Sequence, residues 1–124
     1  MYKLFLDDER IPRTIYPEDP VGWVVIRSYS EFVKIIEGTG LPKILSFDHD
    51  LAEEHYDPAI WRDGNPVPYD TYKEKTGYDC AKWLISKEHD LRNIDIRVHS
   101  YNPVGAKNIR MLLENWNKHL NKNV

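Results

Sequence analysis

One cysteine, Cys80, stands in a chain of 124 residues, so no intramolecular disulfide can staple the fold. Cys80 falls inside a helical pattern and is expected in the core rather than as a nucleophile. No apolar run approaches the ~20 residues of a membrane span, and no signal peptide is recognised ahead of the first apolar segment. A reducing cytoplasm is therefore the expected compartment. Charge of one sign is also missing: 17 Lys and Arg against 20 Asp and Glu leave a net charge of −3. That balance supplies no bulk attraction to duplex DNA or to a membrane, and neither is an expected partner. Repeats, linkers and low-complexity tracts are lacking too. One domain over residues 1–124 is the expectation, with no indication of its oligomeric state.

The chain does have apolar runs that break off into polar, chemically capable residues. Residues 1–6 run into Asp7-Asp8-Glu9-Arg10, Lys43-Ile44-Leu45-Ser46-Phe47 into Asp48-His49-Asp50, and Ile94-Asp95-Ile96-Arg97-Val98 into His99-Ser100-Tyr101-Asn102. Such short runs read as strands of a parallel sheet, and Trp23-Val24-Val25-Ile26 is another. Pro12, Pro17 and Pro20 allow only a helical turn or two after the first strand. Ser28 and Glu31 have capping-box spacing ahead of Phe32, Val33, Ile35 and Ile36, with Gly38 or Gly40 as the stop. Thr76 and Asp79 open another helix, with Tyr78, Ala81, Leu84 and Ile85 on one face. Asn102 and Pro103 suit the N-cap and first position of a last helix carrying Ile109, Leu112, Leu113, Trp116 and Leu120.

Residues 51–75 hold Pro58, Pro66, Pro68 and several aromatics without sustained periodicity. They are expected to be an insertion loop near the active edge, folded as an irregular hairpin over it. Strands alternating with helices imply right-handed crossovers. With the second strand outside, the sheet order becomes 2-1-3-4, an α/β fold with helices on both faces. Its switch point lies between strands 1 and 3, where ligands bind in such sheets and where Asp7, Asp8, Asp48 and Asp50 should converge.

Several carboxylates in one crevice cannot all stay ionised without a counter-charge, since two charges ~4 Å apart repel by about 4 kcal/mol at an effective dielectric near 20. A hard divalent cation, Mg²⁺ or Mn²⁺, is one answer. Neutralisation by Arg10, Lys107 or Lys82, or a capping role for Asp50, is the other. His49 and His99 end adjacent strands, so their rings can serve as an acid–base pair across one substrate, or each can make a structural hydrogen bond. His55, His89 and His119 are expected to be solvated. The turn His99-Ser100-Tyr101-Asn102-Pro103 offers free N–H groups at a helix start. There the Ser100 hydroxyl and Asn102 amide can hold a phosphate, with Thr76 assisting, while Asn102 also suits a plain N-cap. Metal, anion donors and two imidazoles together point to phosphoester chemistry. Tyr56, Trp61, Tyr69 or Tyr72 can stack on a base or pack as a satellite core.

The acidic pair after strand 1, Asp48 after strand 3 and Ser100 after strand 4 resemble the receiver domains of two-component signalling, which share the flavodoxin-like three-layer fold. That resemblance implies Mg²⁺ at Asp7 and Asp8 and a phosphoacceptor at Asp48. The usual lysine after a fifth strand has no counterpart, the sheet is truncated to four strands, and His49, Asp50, His99 and Asn102 are additional. With these, the strings Leu-Phe-Leu-Asp-Asp-Glu-Arg, Ser-Phe-Asp-His-Asp-Leu, Thr-Gly-Tyr-Asp and Val-His-Ser-Tyr-Asn-Pro-Val-Gly resemble the cyclic-phosphate processing receiver-like family of bacteria and phages, from residue 2 to about 115. The function expected is a metal-assisted phosphoesterase acting on RNA 2′,3′-cyclic ends or cyclic nucleotides. Asp7, Asp8 and Asp48 would hold the cation, His49, His99 and Asp50 would be catalytic, and Ser100, Asn102 and Thr76 would bind phosphate. The alternatives are a degenerate phosphoacceptor receiver and a non-catalytic binder that sequesters a cyclic nucleotide.

Overall fold

The four apolar runs are the four strands of the computed structural model, which describes residues 2–122. They are β1 (Lys3–Leu6), β2 (Trp23–Ile26), β3 (Ile44–Phe47) and β4 (Asp95–Val98). All pair in parallel in the order β2-β1-β3-β4. The α/β, receiver-like topology expected from the sequence is therefore the observed one. Among the described residues, five helices connect or follow the strands: α1 (Pro12–Ile15), α2 (Tyr29–Thr39), α3 (Pro58–Trp61), α4 (Gly77–Ser86) and α5 (Pro103–Lys122).

Local signals account for the helix ends. The Ser28 side chain accepts the Glu31 N–H at the start of α2, and Gly40, at φ +91°, ends it in a conformation that favours glycine. Thr76 and Asp79 form a reciprocal capping box on α4. At α5 the Asn102 Oδ1 accepts from Gly105 N at 3.0 Å. The α1 segment is a single turn opened by Pro12, as the prolines dictated.

The two faces of the sheet are covered unequally. Leu4, Leu6, Leu45 and Phe47 pack with Phe32 and Ile36 of α2, Cys80, Ala81 and Leu84 of α4, and Ile109 and Leu113 of α5 in one continuous core. Cys80 is fully buried there. On the other face, where alternation along the strand sends Phe5, the cover is an aromatic group: Phe5 meets Tyr16, Trp23 and the stacked ring of His99.

The 51–75 segment departs from the expected hairpin. It contains α3, a 3₁₀ turn at Glu53–His55 and another at Tyr69–Thr71, and no strand. Its two ends are clasped instead. His55, expected in solvent, is fully buried, because its Nδ1 accepts from Leu51 N at 2.8 Å and its Nε2 donates to the Glu74 carbonyl at 2.9 Å. Tyr72 packs on the same ring. Among the described residues, no helix is long and apolar enough to cross a membrane.

Candidate functional site

Register places the site. Leu6, Phe47 and Val98 stand side by side in the sheet, so Asp7, Asp48 and His99 leave it at one level. Backbone bonds continue the ladder there, from Asp48 N to Leu6 O at 2.9 Å and from His99 N to Phe47 O at 2.9 Å. This is the carboxyl edge on either side of the switch point between β1 and β3.

Three carboxylates meet at that level. Asp7, Asp8 and Asp48 each offer an oxygen, all within 4.8 Å of one another. Arg10 supplies counter-charge: its Nε donates to Asp7 Oδ2 at 2.8 Å and its Nη2 lies 3.4 Å from Asp48 Oδ1. Asp7 Oδ1 also accepts from the N–H groups of Glu9 and Arg10, and Arg27 braces the loop by donating to the carbonyls of Asp7 and Arg10.

One guanidinium does not serve all three acids equally. Burial works against the Asp7 charge but is outweighed by the bond from His99, the two backbone donors and Arg10, which hold the carboxyl at about 2. Asp48 has the 3.4 Å approach of Arg10 and the Ser100 side chain to favour its charge, but burial and the neighbouring Asp7 charge outweigh them and push it up to about 7. Asp8 is raised as well, by burial and by Asp7. Two buried atoms in this crevice lack any partner, Asp48 Oδ2 and Arg10 Nη1. Buried polar atoms are almost always paired, so an unpaired acceptor and an unpaired donor in one crevice make it the candidate binding position. The three carboxylates and the orphaned oxygen suit a hard divalent cation.

His99 joins the crevice through Asp7. Its Nε2 lies 3.1 Å from Asp7 Oδ2 and its Nδ1 2.6 Å from Ser46 Oγ, which in turn lies 2.6 Å from Tyr16 Oη. An ionised Asp7 can only accept, which assigns the proton to Nε2 and makes Nδ1 the acceptor of a chain running from Tyr16 through Ser46. Burial lowers the His99 pKa against the pull of Asp7, so the ring is neutral near pH 7.

His49 belongs to a different network. Its Nδ1 donates to Asp50 Oδ1 at 2.7 Å, and its Nε2 accepts from Tyr69 Oη at 2.8 Å. The same Asp50 oxygen accepts from Asn102 Nδ2 at 3.1 Å, and Tyr69 Oη accepts from Asn108. The ring is 1% exposed. The structure thus brings Asp7, Asp8, Asp48 and His99 together, and separately Asp50, His49 and Asn102; the two imidazoles sit in different hydrogen-bond networks. The Ser100 hydroxyl accepts from Asn102 N at 3.1 Å on the turn between the two groups. Thr76 is fully buried with its hydroxyl engaged by Asp79 in the α4 cap.

Residues 2–115 match the family model described as the cyclic-phosphate processing receiver domain. The chain belongs to that family. No curated protein and no solved structure shows significant similarity to it.

The family strings acquire physical meaning in this receiver domain. Gly77 of Thr-Gly-Tyr-Asp lies so close to β3 that a Cβ would sit 1.9 Å from the Asp48 carbonyl oxygen, and a Cβ on Gly105 would sit 2.2 Å from the His49 ring. Both glycines make room for the residues that follow β3. Sequence reasoning assigned Arg10 only as a possible neutraliser and missed Ser46, Tyr16, Tyr69 and Arg27 as parts of the networks. Arg10 carried a signal in its place within Asp-Asp-Glu-Arg. Ser46 carried a fainter one, as the single hydroxyl in an otherwise apolar strand.

Proposed function

We propose that this cyclic-phosphate processing receiver domain is a metal-assisted phosphoesterase that opens a cyclic phosphate, on an RNA 2′,3′-cyclic end or a cyclic nucleotide. The observation that carries this reading is the orphaned pair in the crevice. Asp48 Oδ2 lacks a cation or donor and Arg10 Nη1 lacks an acceptor, and a phosphate arriving with a divalent ion satisfies both. Asp7, Asp8 and Asp48 are the residues that would hold Mg²⁺ or Mn²⁺. The ion would polarise the phosphoryl group and offset charge building on its oxygens.

The remaining roles fall to the chain. Arg10 Nη1 and the Ser100 hydroxyl hold phosphate oxygens, the former as a charge-assisted donor. His99 moves the proton. Water would attack phosphorus as the ribose P–O bond breaks, its proton leaving to solvent. The His99 Nε2 proton would pass to the departing ribose oxygen while Nδ1 takes one from Ser46, which is resupplied from solvent through Tyr16, so the ring exchanges protons without carrying charge. Asp50, His49 and Asn102 position the turn that presents Ser100.

The test is incubation with 2′,3′- and 3′,5′-cyclic nucleotides, with and without Mg²⁺ or Mn²⁺, alongside Asp48→Asn and His99→Ala. The expected result is metal-dependent ring opening lost in both variants. Stable phosphorylation of Asp48 by acetyl phosphate without ring opening would instead identify a phosphoacceptor receiver. Tight binding of a cyclic nucleotide with no product would identify a sequestering protein.

A further inference from the structure

We propose that Tyr101 is a stacking platform for the nucleobase of the ligand, which makes the ligand a nucleotide rather than a bare cyclic phosphoester; this rests on the phosphate reading of the crevice above. Tyr101 is 74% exposed, yet it stands on the turn between the half-buried Ser100 and the buried Asn102. The Arg10 guanidinium carbon lies over its ring, 4.5 Å from the centroid. Arg10 is itself fixed by Asp7 and Asp48, so the platform is oriented before any ligand arrives, at little further entropic cost on binding.

Solitary exposed aromatics are ordinary; this one is not solitary. Ile11 is 49% exposed and Tyr56 41%. Ile11 follows Arg10 directly, and the Tyr56 hydroxyl donates to Asp8 Oδ1 at 3.3 Å. Ile11, Tyr56 and Tyr101 are thus all tied to the segment 8–11, which supplies Asp8 and the orphaned Arg10 Nη1. An apolar rim around a charged floor fits a ligand with a flat apolar part joined to an anion. Two other tyrosines of the 51–75 segment are committed elsewhere: Tyr69 stacks on Tyr78 and bonds His49, and Tyr72 lies against His55. The side chain of Trp61 lies outside the described residues.

Tyr101 directly follows Ser100, so a phosphate at Ser100 and a base on Tyr101 would share one turn, within the compass of a single nucleotide. Arg10 would then serve both ends, its Nη1 toward the phosphate and its planar face beneath the tyrosine. Base–aromatic stacking tolerates every base, so broad rather than base-specific recognition follows.

The experiment is calorimetric binding with Mg²⁺ present, using monophosphates that carry no ring to open, so it needs no turnover. The probes are adenosine and uridine 3′-monophosphates and the base-free glycerol 2-phosphate, on the wild-type protein, Tyr101→Ala and Tyr101→Trp. The expected result is that the ratio of nucleotide affinity to glycerol phosphate affinity falls about tenfold or more in Tyr101→Ala and is recovered in Tyr101→Trp. An unchanged ratio, an equal loss for both probes, or a wild-type protein that binds the two equally overturns the proposal. A fall in the ratio without any ring opening by the wild-type protein would sink the phosphoesterase reading and leave the platform standing. Ring opening with an unchanged ratio does the reverse. Once the ratio has fallen, comparing a cyclic mononucleotide with a short RNA ending in a 2′,3′-cyclic phosphate separates the two sources, the tighter binder being the native one.

Discussion

Asp48 and Asp50 are two residues apart at the end of β3, chemically identical and both 2% exposed, yet the fold treats them differently. Asp50 receives the His49 ring and the Asn102 amide on one oxygen. Asp48 is left beside Asp7 with a distant guanidinium, the Ser100 side chain and one oxygen, Oδ2, that has no partner. Burial alone does not distinguish a structural acid from a ligand-binding one. The partner inventory does: a satisfied buried acid rigidifies, and an unsatisfied one waits for a cation or a proton.

The comparison can be broken most directly by exchanging which side is damaged. Asp48→Asn should reduce cyclic-phosphate turnover by at least about a hundredfold, the scale of losing one transition-state charge stabiliser, with a stability change within roughly 1 kcal/mol. His49→Ala should do the opposite first, lowering unfolding free energy by about 3–5 kcal/mol because it strands a buried acid. Turnover assays and denaturant melts on both variants check this, and equal stability losses would erase the distinction. Next in size, Gly105→Ala should cost about 1–3 kcal/mol, since the added Cβ must displace the His49 ring.

A pH series sharpens the same contrast. The Asp48 pKa is raised from 3.8 to about 7 on folding, so the unfolded chain gives up this proton first. The Asp48 contribution to stability should therefore decline from about pH 4 to about pH 7 and level off above. Asp7 is lowered to about 2, and its contribution should vanish as pH falls from about 4 to 2. Mg²⁺ should raise the melting temperature more at pH 8 than at pH 6, because below about 7 a proton competes for Asp48. A Mg²⁺ shift that is independent of pH, or that persists in Asp48→Asn, would count against the site. Ser46→Ala is expected to cost a similar amount, about 1–3 kcal/mol, for leaving His99 Nδ1 and Tyr16 unpaired, with a changed His99 tautomer balance by nitrogen NMR.

Legibility in the sequence followed the range of the interaction. The strands and the capped starts of α2, α4 and α5 were readable because periodicity, Ser28, Thr76 and Asn102 act within a turn or two of themselves. The level meeting of Asp7, Asp48 and His99 was readable too, since parallel order and similar strand lengths leave little freedom at the carboxyl edge. The division of the two histidines was not. His49 and His99 end adjacent strands with the same imidazole, and only Tyr69 from 20 residues away and Ser46 from 53 away assign them to different networks. The burial of His55 escaped for the same reason, because its partners Leu51 and Glu74 are joined only when the loop closes.

By itself, then, the sequence determined the topology and the residues that reach the sheet edge, because hydrophobic periodicity, prolines and caps are local and the crossover rule is nearly absolute. Tertiary structure alone decided which of those residues are satisfied. Hydrogen-bond satisfaction is set by neighbours far apart in the chain, and it is what left Asp48 Oδ2 and Arg10 Nη1 unpaired while closing every bond around His49.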